Sequence, residues 1–231
     1  MRRAMRGFVV LVAGTVIAGK HAVGMLVIGL VGSFALLSPA MADVRESDCF
    51  GEDFSRRIEA CSALIAEPGL SQQDRALAYS ARALAYSVRG NYDLAIPDYD
   101  IALGIDPDSA VALNNRAWAY FKLGDPERGA ADVDRALKLM PDSAHTFDTR
   151  AHIRQRRGDT RGAMRDYESA IRFGGAAIVK LYQCGLQANQ LYSGEIDGLY
   201  TTDTRKALET CVATTGCDPL PPDEECLKIT S

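Results

Sequence analysis

The chain opens on an almost unbroken apolar run, Phe8–Leu37, and after it the apolar residues recur at helical spacing to near the C-terminus. The segment Phe54–Ile65, within a helix read over Asp53–Glu67, forms one amphipathic helix. From Ala76 onward the pattern predicts helices of about a dozen residues in pairs, two in each of the spans 76–109, 110–143 and 144–177. Beyond these the period stops. A helix is predicted over Ala176–Asn189, with Ile178, Leu181, Tyr182 and Leu186 on one face. A turn-rich link over 191–200 leads to a last helix, Thr202–Val212, with Asp203 and Thr204 placed to cap it. No stretch alternates in the manner of a strand, so the fold class is all-α.

The pairs are copies of one unit. Gly90, Gly124 and Gly158 lie 34 residues apart. Twelve residues after each stands an alanine (Ala102, Ala136, Ala170), and seventeen after each a break (Pro107, Pro141, Gly175). Glycine at the end of a first helix permits a left-handed turn, alanine permits close helix crossing, and proline stops the second helix. Such periodicity is that of a stacked helical array, which presents an extended concave surface for binding.

The segments Arg89–Ile96 and Ala102–Pro107, together with Ala117, Tyr120, Leu123-Gly124-Asp125, Ala136-Leu137 and Pro141, resemble the tetratricopeptide repeat family. The resemblance implies a superhelical solenoid of three repeats over residues 76–109, 110–143 and 144–177. It also implies a protein or peptide ligand on the concave face. Three positions depart from the family pattern: Gly129 replaces alanine, which predicts a less stable second helix there, Arg154 replaces an aromatic residue, and Gly175 replaces proline. In the family frame the ligand-facing residues are Asn114, Asn115, Trp118, Phe121 and Lys122, then Asp148, Thr149, His152, Gln155 and Arg156. Asn115, Lys122 and Arg156 resemble a grip on a peptide carboxylate, which Ser80, Ala81 and Leu84 of the first unit leave incomplete.

Arg2, Arg3 and Arg6 precede the apolar run, which ends on the small residues Ser38-Pro39-Ala40-Met41-Ala42. This is the pattern of a signal peptide, residues 1–42, cleaved after Ala42, which places the protein in the periplasm or outside the cell. The alternative is an uncleaved anchor facing the periplasm, since about 20 apolar residues span a bilayer. After cleavage no stable membrane insertion is expected. All six cysteines follow Ala42, an even number in an exported chain, which favours disulfides over a metal site. Spacing suggests Cys49–Cys61, stapling a capping region over 43–75. It further suggests Cys184–Cys211, joining the last two helices, and Cys217–Cys226, closing an acidic tail over 216–231.

Residues 43–231 carry 22 basic and 30 acidic side chains, a net charge of −8 that argues against nucleic acid as a partner. No catalytic motif, cofactor loop or metal-ligand cluster stands out, and the reading is of a non-enzyme. His145 and His152 share a helix face with no carboxylate or thiol beside them and read as ordinary exposed histidines.

Within 178–215, the pieces Leu186-Gln187-Ala188, Leu191-Tyr192, Gly194, Ile196-Asp197-Gly198, Thr204-Arg205 and Ala207-Leu208 resemble the small three-helix peptidoglycan-binding domain. That resemblance implies a glycan ligand, with Tyr192, Asp197, Tyr200 and Arg205 as candidate contacts. Thr201, where that family has glycine, and Cys211, where it has a large apolar residue, depart from it. Three functions follow: a scaffold tethered to the cell wall, an adaptor whose C-terminal unit only caps the solenoid, or an accessory regulator of a wall hydrolase.

Overall fold

The computed structural model describes residues 46–220, so the N-terminal apolar run and the end of the tail lie outside the described residues. Within them a helical turn over 46–50 is followed by α1 (Phe54–Ile65), α2 (Gln72–Val88), α3 (Tyr92–Ile105), α4 (Ala110–Lys122), α5 (Pro126–Leu139), α6 (Ala144–Arg156), α7 (Thr160–Ala188) and α8 (Thr202–Ala213), and no strand. None of the described helices is long and apolar enough to cross a membrane.

Helices α2 and α3, α4 and α5, and α6 and α7 pack as pairs. Each second helix touches the next first helix, and the first helices α2, α4 and α6 touch in series. The link inside each pair is the same turn three times. Gly90, Gly124 and Gly158 have φ of 76°, 84° and 80°. The following amide reaches back to the carbonyl of Tyr86, Tyr120 or Arg154 at 2.9 Å, which closes the last turn. Ser71, Ser109 and Ser143 cap α2, α4 and α6 with their hydroxyls.

A ladder of ion pairs with the same period runs through the array. The Arg82 guanidinium donates to both Asp98 oxygens at 2.7 and 2.8 Å, Arg116 to both of Asp132 at 2.8 Å, and Arg150 to both of Asp166 at 2.9 and 2.8 Å. These bidentate bonds join the two helices of one pair. The remaining arm reaches the preceding pair: Arg116 meets Asp100 at 2.7 Å and Arg150 meets Asp134 at 3.2 Å. Arg82, which has no preceding pair, donates instead to Ser62 of α1 at 3.0 Å.

Both ends of the array are covered. At the N-terminal end α1 closes over α2, and Cys49, Ala60, Cys61, Leu64, Ile65 and Ala78 form one buried cluster. At the other end Gly175 interrupts the helix at the position where proline stops the earlier ones. It adopts φ 60° and ψ −147°, a conformation open to glycine, and a second helical segment of α7 follows directly and runs to Ala188. The continuation stays in register: Tyr182 stands 34 residues after Asp148, and Gly185 34 after Ala151. It lies where the first helix of a further pair belongs. Its residues Ile178, Tyr182 and Leu186 share a single buried cluster with Ala151, Ala163, Tyr167 and Ala170 of the third pair and with Ala207, Leu208, Cys211 and Val212 of α8. Glu168, in register with Asp100 and Asp134, is met by Arg205 of α8 at 3.2 Å. The last unit is therefore joined to the third pair much as one pair is joined to the next.

One local departure is explained and one expectation is corrected. Helix α5 runs through Gly129. A Cβ at that position would stand 2.8 Å from the Ala117 carbonyl oxygen and 3.0 Å from its Cα, so α4 and α5 approach too closely for alanine. Helix α8 is capped by Thr201, whose hydroxyl accepts from the Thr204 amide at 3.3 Å, and not by Asp203 or Thr204.

Candidate functional site

The first-helix face is assembled from α2, α4 and α6, and its floor is aromatic. Trp118, half-buried, stacks on Phe121 with centroids 5.2 Å apart and meets the edge of His152 at 5.3 Å. Two cations stand over these rings: Lys122 Nζ lies 5.4 Å from the Trp118 centroid and the Arg156 guanidinium 4.9 Å from that of Phe121. Asn114 and Asn115 are half-buried beside them, the Asn114 amide donating to Asn115 Oδ1 at 3.2 Å. A cleft of about 390 Å³ opens between Phe121, His152, Gln155 and Arg156 on one side and Val212, Thr214 and Asp218 on the other.

Of the two histidines read as exposed, only His145 is. His152 is 3% exposed, and Asp148 and Thr149 beside it are buried too. Its Nδ1 faces the Asp148 carbonyl oxygen at 2.8 Å and its Nε2 faces Asp218 Oδ1 at 2.9 Å. The Asp148 carbonyl accepts from Nδ1, and with Asp218 ionised its carboxylate accepts from Nε2, so the ring then carries a proton on each nitrogen. Burial opposes that charge, yet the neighbouring Asp148 and the Asp218 hydrogen bond outweigh it and hold His152 above the ordinary histidine range. Burial pushes the Asp148 carboxyl up, partly offset by His152 and by the Tyr182 hydroxyl that donates to it. Burial likewise opposes an ionised Asp218, but the His152 hydrogen bond and charge bring it below the usual carboxylate range. Among the described residues no group of three or more His, Cys, Asp or Glu side chains is placed to hold a metal ion.

Gln155 is also engaged from within. Its amide donates to the Cys217 carbonyl at 2.8 Å and its Oε1 accepts from the Tyr167 hydroxyl at 2.7 Å. Of the candidate ligand-facing residues, Phe121, His152, Gln155 and Arg156 line the cleft, with Trp118 and Lys122 next to Phe121, and His152 and Gln155 are engaged by residues after α8.

Residues 110–143 match the tetratricopeptide repeat family. The match is the pair α4–α5, which carries Trp118, Phe121 and Lys122. No curated protein matches the chain significantly. A tetratricopeptide repeat is a protein-interaction unit, and the neighbouring pairs α2–α3 and α6–α7 repeat its turns and its ion pairs on either side.

The cysteines pair differently from expectation at one end of this array. Cys49 is bonded to Cys61, their Cα atoms 4.6 Å apart. Cys211 is bonded to Cys217, with Cα atoms 5.3 Å apart, which corrects both the Cys184–Cys211 and the Cys217–Cys226 expectations. The cause is local: α8 ends at Ala213, and a turn through Gly216, at φ 83°, folds the chain back over the last turn of the helix. Cys184 is disulfide-bonded as well, but not to Cys211.

The four glycan candidates fall in two pairs, Tyr192 and Asp197 around the Gln183 amide and Tyr200 and Arg205 around Glu168. Tyr192 donates to the Glu195 carbonyl at 3.1 Å and lines a shallow cleft with Lys206 and Thr210. Asp197 accepts from the Leu199 amide at 2.9 Å and from Gln183 at 2.8 Å, which keeps its carboxyl below the usual range and makes it part of a turn. Tyr200 is half-buried, its phenol pushed up to about 12 by burial. Arg205 lies between Glu168 and Glu209 at 3.2 Å each, close to Tyr200.

Proposed function

We propose that this chain is an adaptor that grips an extended segment of a partner protein on the face formed by α2, α4 and α6, and that its C-terminal unit caps the array. The observation that carries the reading is the aromatic floor of Trp118 and Phe121 with Lys122 and Arg156 above it, on the first-helix face at the matched repeat. Rigid rings and cations over them are the groups that dominate binding energy at protein interfaces. What supports capping is the core shared between α8 and the third pair, together with the Arg205–Glu168 link. The disulfides accord with an oxidising compartment such as the periplasm.

Selection of displayed random peptides on the oxidised protein tests the adaptor. Enriched peptides are expected to lose binding to Trp118→Ala and Lys122→Ala variants that keep the wild-type helical spectrum. Peptides that bind the variants undiminished, or no enrichment at all, count against it. Sedimentation with purified peptidoglycan sacculi tests the cap: the protein is expected to stay in the supernatant, and pelleting with the sacculi would restore the tether.

A further inference from the structure

The third-repeat end of the concave face is already filled, by the chain's own residues 217–220. The Asp218 carboxylate sits on His152 Nε2 at 2.9 Å, and the Cys217 carbonyl accepts from the Gln155 amide at 2.8 Å. The Asp218 carbonyl accepts from Asn189 at 2.9 Å, the Pro219 side chain is wholly buried, and Leu220 packs on the cluster shared by the third pair and α8. An acid on a base, a backbone carbonyl on a side-chain amide, a buried proline and an apolar contact are what a groove offers an extended peptide from another molecule. The segment has no helical structure of its own.

We propose that residues Asp218–Leu220 are an internal ligand. They fill a site for an acidic segment of a protein partner, one with a carboxylate followed by proline or an apolar residue, and the partner binds by displacing them. The inference rests on the adaptor reading above and names the chemistry of its ligand. The need for an acid follows from His152. Its ring is buried with a hydrogen-bond donor aimed at the segment, so a displacing group must supply an acceptor there, and Lys122 and Arg156 beside the cleft favour one that is negatively charged. The means of displacement is also built in. The cleft of about 390 Å³ lies directly against residues 214–218, so a competitor has a place to engage first. The Cys211–Cys217 bond holds the chain at Cys217, so displacement is a movement of the residues just after it, Asp218–Leu220.

The probe is a labelled synthetic peptide of residues 214–220 carrying Cys217→Ser, followed by fluorescence anisotropy against the oxidised full chain. In the wild type the internal segment competes, and apparent affinity falls by the fraction of molecules in which the site is open. An Asp218→Ala chain is expected to bind the probe at least about tenfold tighter than the wild type, which corresponds to a site open in at most roughly one molecule in ten. The gain should vanish with His152→Asn in the same chain, and with a probe carrying Asp218→Asn. Equal affinity of wild type and Asp218→Ala, or equal binding of the acid and amide probes, overturns the proposal. Should Asp218→Ala fold poorly, hydrogen exchange on the wild type decides instead. Saturating probe is expected to expose residues 217–220 to exchange, and continued protection overturns the proposal. The two failures are distinguishable. Selected peptides that need Trp118 and Lys122 yet leave residues 217–220 protected sink this inference alone, whereas no dependence on Trp118 or Lys122 in either chain sinks the adaptor itself.

Discussion

Arg116 is the joint at which the first two repeats meet, and Arg116→Met tests how much the ladder contributes. Methionine keeps an unbranched stem in the same place and removes the guanidinium. Asp132, whose side chain is 11% exposed, then loses two charge-assisted bonds of 2.8 Å, and Asp100, half-exposed, loses one of 2.7 Å. Removing one member of a buried pair costs about 3–5 kcal/mol because the other charge is left without a partner. Arg116 is itself 21% exposed, so water reaches the site and the lower end applies. The exposed link to Asp100 adds under about 1 kcal/mol. We expect a loss of about 3 kcal/mol, read from urea unfolding followed by circular dichroism at 222 nm. Asp132→Leu on the same chain removes the orphaned carboxylate, and the double variant should return to within about 1 kcal/mol of wild type. A single variant that loses under about 1 kcal/mol, or a double variant no more stable than the single, refutes the view that Asp132 depends on this arginine for its burial.

Gly129→Ala should destabilise the protein. The overpacking against the Ala117 backbone, about 1–3 kcal/mol, outweighs the roughly 1 kcal/mol that alanine gains in helix propensity, so a raised melting temperature would contradict the close approach of α4 and α5. A Cys211→Ser/Cys217→Ser chain should titrate no free thiol under denaturing conditions, because the two bond to each other; two free thiols would assign each a different partner. Closing a loop of six residues is worth about 2 kcal/mol, which the same chain should lose. The His152 contact should depend on pH with a defined sign. The folded ring titrates above its unfolded value near 6.5, so its contribution is complete below that value and is lost as pH rises through the folded one. The groups that face it are Asp148 on α6, Asp218 after α8 and the Tyr167 ring on α7; Tyr182 donates to Asp148, and Lys122 favours the ionised Asp218. Trp118, the single tryptophan, reports the step by fluorescence; a midpoint at or below 6.5, or an unchanged step in His152→Asn, removes the assignment.

The repeats were legible because their landmarks are steric. A left-handed turn admits glycine and a close crossing admits alanine, so Gly90 and Ala102 announce themselves wherever they recur. Charge is less transparent. Arg82, Arg116 and Arg150 recur every 34 residues, as do Asp98, Asp132 and Asp166, but each alone looks like a solvated helix charge. The signal that could have found the ladder is the constant separation of 16 between each arginine and its aspartate. The same frame places Ile178, Tyr182 and Gly185, yet the missing proline at Gly175 made the period seem to end. The burial of His152 had two signals, one local and one distant: Asp148 stands four residues before it on the same helix, while Asp218 lies 66 residues away, beyond any local pattern. The Cys211–Cys217 pair was missed because loop length was weighed without the reversal that Gly216 permits. At Gly129 propensity counted a weak helix former, and the opposing backbone had no trace in the local sequence.

Because Arg116 and Arg150 each take one acid from their own pair and one from the pair before, the array is written in interchangeable cassettes. Excising residues 110–143 would remove Arg116, Asp132 and Asp134 together. Arg150 would then inherit Asp100 in place of Asp134 and keep Asp166, with no side chain of the ladder left over. Duplicating the same cassette would add one complete rung. The end pieces, Ser62 at one side and Arg205 at the other, are indifferent to how many rungs stand between them. Groove length is thus a quantity this architecture can change by whole copies, without redesigning either lid.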